Sequence, residues 1–239
     1  MKRLFRRTVS IWEKEGGFSL LLGFLVGMLF VVPFLRFWFP VLAPASTAFF
    51  VVLLVTGVLV VSRSPWAALL TCLLAGVVIA LEITRQIAGA DPFAAWRLGI
   101  SCVTIGIFTV VTLARVFSPG PVTSHRLVGA VAAYLLVGLT FAYAYEWLEV
   151  VRPGSFEAGR SVAEGAYPAI LYFSFVTLST VGYGDVLPVG QAARALSNVE
   201  SLVGVLYPAV LIGRLLSMHA VGGPPPGGPA ATAPPRSPE

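Results

Sequence analysis

Charge is what this sequence has least of. Only 11% of its 239 residues are Asp, Glu, Lys or Arg, against roughly 25% in a soluble domain. A chain so poor in charge cannot clothe a water-facing surface, and it points to a lipid environment. Cysteine is almost as scarce. Cys72 and Cys102 lie in separate apolar runs and offer neither a disulfide framework nor clustered metal ligands; they read as small packing residues. The two histidines, His125 and His219, fall at helix ends, where lipid head groups are their expected partners. There is no Ser/His/Asp constellation and no Gly-rich phosphate loop, so an enzyme is not expected. The net charge of +5 raises the question of nucleic acid. The basic residues form no stripe, however. They stand singly at the ends of apolar runs, with a cluster at Lys2, Arg3, Arg6 and Arg7, which is the pattern of membrane topology.

Hydrophobic residues make up 57% of the chain, in runs near the roughly 20 residues needed to cross a bilayer. Six spans are predicted, at about 18–35, 46–61, 66–83, 97–117, 125–147 and 190–217. A seventh apolar run, about 165–179, is too short to cross. The basic start followed by an apolar run imitates a signal peptide, but the run is too long and no clear small-residue cleavage site follows.

The expected fold is therefore all-α and membrane-embedded, in four parts. Residues 1–16 form a cytoplasmic amphipathic N-terminus, either an interfacial helix with Leu4, Phe5, Val9 and Trp12 on one face or a frayed tail. A four-helix domain follows at 17–120. A second unit occupies 121–219, including a polar, exposed loop at 149–165. The tail, 220–239, is almost all Pro, Gly, Ala and Ser and is expected to be disordered. An even number of spans puts both termini on one side. Ten of the sixteen Lys and Arg residues fall on that side, which places the termini in the cytoplasm of a cell-membrane protein.

The short run ends in Thr180-Val181-Gly182-Tyr183-Gly184-Asp185. Irregular backbone at membrane depth is tolerated only where it is buried in protein or lines a water-filled path. Gly182 and Gly184 can take positive φ without a Cβ penalty. Alternated with Val181 and Tyr183, they let successive carbonyls turn toward one axis while the larger side chains point away and anchor the strand.

On these residues, the segment from about Arg126 to Ser217 resembles the pore domain of tetrameric potassium channels: outer helix, pore helix, filter and inner helix. The core of the resemblance is Thr177 to Asp185. It implies a homotetramer in which the carbonyls of Thr180, Val181, Gly182, Tyr183 and Gly184, with the Thr180 hydroxyl, replace the hydration shell of a permeant K+ ion, the known chemistry of such filters. Tyr183 favours potassium, since nonselective relatives often differ there. Asp185, Tyr172, Phe173, Thr177 and Glu200 are the expected filter supports. Tyr172 and Phe173 stand where family members often carry two Trp, and Phe173 cannot supply the indole donor toward Asp185. Val176 stands where some members carry a pore-helix Glu.

Gly204 lies where the family often has a gating glycine, and Pro208 removes a backbone hydrogen bond. Together they make a candidate hinge, with a cytoplasmic crossing near Leu211 to Leu215; close packing is the alternative. Glu200, an ionisable residue inside a span, is expected to hydrogen-bond behind the filter, to face the cavity, or to reach interfacial water. Glu146, Glu149, Glu157 and Glu164 form either an acidic rim that concentrates cations or a solvated face. Six spans suggest voltage gating, yet no Lys or Arg stands between Arg97 and Arg115, and a sensor needs several. Glu82 has no evident run of partners. The first four helices are thus expected to be a non-sensing domain, and no cytoplasmic ligand-binding domain is expected after the inner helix. Membrane lipids and three further copies of the chain are the expected partners. A transporter subunit would repeat a filter-like loop within one chain, whereas one full motif is present.

Overall fold

The computed structural model describes residues 17–31, 33–34, 38–39, 65–88, 92–118, 123–159 and 169–222. The expected N-terminal segment 1–16, the second span at 46–61, Glu164 and the remainder of the tail from 223 lie outside the described residues, as do the side chains of Leu215 and His219. Six α-helices are described: α1 (Gly17–Val26), continued by a π turn at Gly27–Val31, α2 (Pro65–Ala88), α3 (Ala94–Val116), α4 (Ser124–Val151), α5 (Ala169–Leu178) and α6 (Gln191–Gly222). Two short strands, β1 (Phe156–Ala158) and β2 (Val186–Pro188), complete the order. Among the described residues, three helices are long and apolar enough to cross a membrane: α3 with 23 residues, α4 with 28, and Gln191–Arg214 of α6 with 24.

Helix α4 is the hub. It begins at an N-cap, Thr123, whose side chain accepts from the Arg126 amide, the local signal that starts a helix. Beyond that cap its small residues Gly129, Ala130, Ala132, Ala133, Gly138 and Ala142 are all buried. Small residues let backbones approach closely where lipid provides no hydrophobic drive between helices, so α4 takes neighbours on several faces. Helix α1 seats Phe18 against Gly129 so closely that a Cβ there would meet the ring at 2.9 Å. Phe18 also lies 4.8 Å from the His125 ring. His125 is thus engaged by α1, and its buried Nδ1 has no hydrogen-bond partner among the described residues.

Helix α3 runs antiparallel to α4. Gly99 faces the Trp147 indole at one end, and near the middle Thr109 and Thr140 share a 2.9 Å hydrogen bond. The α2–α3 pair is closed by charge. Glu82, buried on α2, takes Arg85 of its own helix and, at 3.4 Å, Arg97 of α3. Glu82 therefore does have partners, and Arg97 pins two helices together. The apolar core runs from Leu21 and Leu25 of α1 through Val78, Ile105 and Phe108 to Leu136 and Leu139 of α4, and ends at Leu171 of α5.

The stretch after α4 is more structured than a solvated loop. Glu149 turns its carboxylate inward and accepts from the Gly154 amide at 2.8 Å and the Phe156 amide at 3.1 Å. That capping sets up β1, which pairs antiparallel with β2 in the register Phe156↔Pro188, Glu157↔Leu187 and Ala158↔Val186. Ser155 is buried, and its carbonyl accepts from the Val189 and Gly190 amides. Of the proposed rim, Glu149 is a structural cap, while Glu157 stands exposed on β1. At the far end, α6 continues to Gly222, into the first residues of the expected disordered tail.

Candidate functional site

Helix α5 ends at Leu178, and the next residues turn back on it. The Ser179 amide donates to Phe175 O, the Thr180 amide to Thr177 O, and the Val181 and Gly182 amides both to Val176 O, at 3.0 to 3.3 Å. The last carbonyls of a helix otherwise lack partners; here the loop itself supplies them, so loop and helix move as one piece. Thr180, Gly182 and Gly184 have φ of 61°, 59° and 77°, whereas Val181 and Tyr183 between them do not have positive φ. For the glycines this region carries no penalty. For Thr180 it costs on the order of 1–3 kcal/mol, the kind of strain that persists where surroundings over-determine it.

The two neighbouring aromatic residues expected to support the loop, Tyr172 and Phe173, do different things. Tyr172 donates its hydroxyl to Asp185 Oδ2 at 2.7 Å, and its ring lies parallel to that of Tyr183, with centroids 6.4 Å apart. Phe173 turns the other way, into a three-ring cluster with Tyr145 and Phe156, every pair edge-on at 5.3 to 5.4 Å. Each such pair contributes about 0.5–1.5 kcal/mol beyond area burial. Asp185 is also held by its backbone, since its carbonyl accepts from the Gly159 amide at 2.8 Å. The ribbon strands flank this point, so the loop is braced from α5 and from β1.

Behind α5 sit the contacts that seat it. Gly138 of α4 passes so close that a Cβ would come within 2.8 Å of the Phe175 ring. Gly204 of α6 passes closer still, with a would-be Cβ 2.0 Å from Leu178 O. Leu178 O also accepts from Tyr134 Oη at 3.1 Å. Glu200 is fully buried, lying 2.6 Å from Tyr145 Oη and 2.6 Å from Ser174 Oγ. Of the three orientations open to it, Glu200 takes the inward one, toward α4 and α5. Thr177 contributes its carbonyl to the turn, as above.

Farther along α6, the helix runs unbroken through Pro208. Proline has no N–H, so the Gly204 carbonyl, four residues earlier, has no helical partner. The neighbouring Tyr207 donates to Ala130 O at 2.7 Å. One turn beyond Leu211 in the expected crossing, Arg214 reaches the end of α3. It donates to Val116 O at 3.3 Å and also to Ser118 O, with its guanidinium 5.5 Å over the Phe117 ring. A cation at a helix C-terminus meets the negative end of the helix dipole.

Sequence reasoning singled out Glu200 but missed its partners. Tyr145, Ser174 and Tyr134 are hydroxyl residues inside otherwise apolar elements, and a carboxyl in a span demands such donors; that was the available signal. Gly138 and Arg214 carried none, because their roles depend on helices distant in the chain.

A short helix with a capped irregular loop, set between two long apolar helices, defines a helical membrane protein with a loop hairpin at its centre. Comparison with known proteins narrows this. A family model described as an ion channel matches residues 129–220, the stretch from α4 through α6. Protein LctB of Bacillus caldotenax is 33% identical over 119 residues, covering 48% of this chain and 88% of its own. The inward rectifier potassium channel Kirbac3.1 of Paramagnetospirillum magnetotacticum is 36% identical over 81 residues, 32% of this chain and 24% of its own. Two pore potassium channel c of Oryza sativa subsp. japonica is 35% identical over 85 residues, 36% of this chain and 17% of its own. The chain belongs to the ion channel family. No solved structure matches it significantly.

Proposed function

We propose that this chain is one subunit of a potassium-selective channel, in which four copies bring their loops 180–185 around a common axis and conduct K+ passively. The observation that carries this reading is the alternation of backbone hand along the loop, with positive φ at Thr180, Gly182 and Gly184 only. Such alternation turns successive carbonyls toward one side, as ion coordination by Thr180, Val181, Gly182, Tyr183 and Gly184 requires. Two relatives named as potassium channels align with the chain. Apolar surface supports assembly: Val181 is 52% exposed, Tyr183 71% and Leu202 of α6 65% in the single chain, as expected of faces that other copies cover.

In this reading α4 is the outer helix, α5 the pore helix and α6 the inner helix. The units at 17–120 and 121–219 act as a non-sensing domain and a pore domain. The protein sits in the cell membrane with both termini cytoplasmic, and its fourth span supplies no gating charges. Gly204 and Pro208 form the hinge of the inner helix, at a rung of the backbone ladder that Pro208 leaves empty. Purified protein in proteoliposomes is expected to pass K+ down its gradient, with block by barium and exclusion of Na+. Folded tetramers that show no barium-sensitive K+ flux would overturn this function.

A further inference from the structure

Three oxygen–oxygen contacts form a chain through Glu200 and Ser174. Tyr145 Oη lies 2.6 Å from Glu200 Oε2. Glu200 Oε1 lies 2.6 Å from Ser174 Oγ. Ser174 Oγ lies 2.7 Å from the Gly138 carbonyl oxygen. Every one is at hydrogen-bond distance, so each needs a hydrogen between its oxygens.

The hydrogens can be counted. Tyr145 supplies one and Ser174 supplies one, while the Gly138 carbonyl can only accept. An ionised Glu200 supplies none. Two hydrogens would then serve three contacts, and one pair of oxygens would face each other bare in a fully buried place. A protonated carboxyl supplies the third. The chain then has a single direction: Tyr145 donates to Glu200 Oε2, Glu200 Oε1–H donates to Ser174 Oγ, and Ser174 donates to Gly138 O. Among the described residues, no cation is seen to favour the ionised form. Helix α5 carries no charged residue. Among the described residues, the titratable groups that interact with Glu200 are the phenols of Tyr145 and Tyr134, both on α4. A buried carboxyl without a cation partner relieves its desolvation by staying neutral.

We infer that Glu200 is a neutral carboxylic acid and the positioning residue that locks the pore helix to both long helices of the pore. This deepens the channel reading and rests on it for its effect on conduction. The route to the filter is short. Ser174 is on α5, and the carbonyls of Val176 and Thr177 on the same helix hold the amides of Thr180, Val181 and Gly182. A shift of α5 is therefore a shift of the filter. The neutral form also keeps four fixed negative charges from standing behind the filter of a tetramer.

The direct test is infrared spectroscopy of the purified full chain at neutral pH, wild type against Glu200→Gln. A protonated-carboxyl carbonyl band present in the wild type and lost in Glu200→Gln is expected; a carboxylate band lost in its place would overturn the neutral acid. The functional arm uses the amide as a mimic of the acid, since its NH2 can donate to Ser174 while its oxygen accepts from Tyr145. Glu200→Gln is expected to keep K+ flux and thermal stability near wild type. Glu200→Ala and Ser174→Ala, which strand buried hydroxyls, are expected to lower flux about tenfold or more. A Glu200→Gln protein as impaired as Glu200→Ala would overturn the positioning role. If the wild type shows the carboxyl band but passes no K+, the channel reading fails while the neutral acid stands.

Discussion

Gly204 of α6 passes directly beneath the backbone oxygen of Leu178, the last residue of α5, and a methyl group at 204 would sit 2.0 Å from that oxygen. No side chain can yield there, because the obstacle is backbone. Gly204→Ala must push the two helices apart, and overpacking of this sort typically costs about 1–3 kcal/mol. The thermal unfolding midpoint of the purified protein is expected to shift down, with a parallel loss of K+ flux. Pro208→Ala restores a backbone donor without adding bulk. It is expected to alter open probability in bilayer recordings and leave thermal stability intact or raised. Unchanged gating in both variants would remove the hinge from this region.

Tyr172→Phe deletes one hydroxyl and its 2.7 Å bond to Asp185. A hydrogen bond to a charged group contributes about 1.5–3 kcal/mol. The ring remains to lie alongside Tyr183, so folding and assembly are expected to survive. The loop exit loses one of its two braces, and sustained currents are expected to decay faster than in wild type. Decay rates in macroscopic recordings check this; equal rates would show that the backbone bond from Gly159 suffices.

Gly182→Ala tests the loop with little change elsewhere. Nothing lies within 4 Å of the new Cβ in the chain, but φ is +59°. An L-residue in the left-handed region costs roughly 1–2 kcal/mol. The variant is expected to reach the membrane as a folded protein and to lose K+ over Na+ selectivity, read from reversal potentials under mixed-ion conditions.

Arg214 ties α6 to the end of α3 through Val116 O, Ser118 O and the Phe117 face. Opening a hinge at Gly204 to Pro208 has to carry Arg214 away from these groups. Arg214→Gln weakens charge-assisted bonds of about 1.5–3 kcal/mol, which is enough to move a gating equilibrium about tenfold or more. Open probability is expected to rise with selectivity unchanged. Single-channel recordings separate the two, since a change in ion preference would point to the filter.

Much of this was legible in order along the chain. The lengths of the apolar runs anticipated α3, α4 and α6, the short run anticipated α5, and the glycine spacing at Gly182 and Gly184 anticipated the loop with positive φ. These are local properties: a helix needs its own residues, and a left-handed turn needs its own glycine. Thr180 escaped that logic, because a β-branched residue in the left-handed region is held there by amide bonds of the neighbouring turn.

Partnership was decided by the tertiary structure. Glu200 meets Tyr145 across 55 residues and Ser174 across 26, and Arg214 meets Val116 across 98. No periodicity encodes such pairs, since each depends on which helix faces which and at what height. For the same reason Glu149 looked like a rim acid and is a cap, Glu82 looked isolated and binds Arg97, and Gly204 looked like a flexible joint and is also the place where two backbones touch. The loop 180–185 could be read from its own residues. What holds it in place could be seen only once the chain had folded around it.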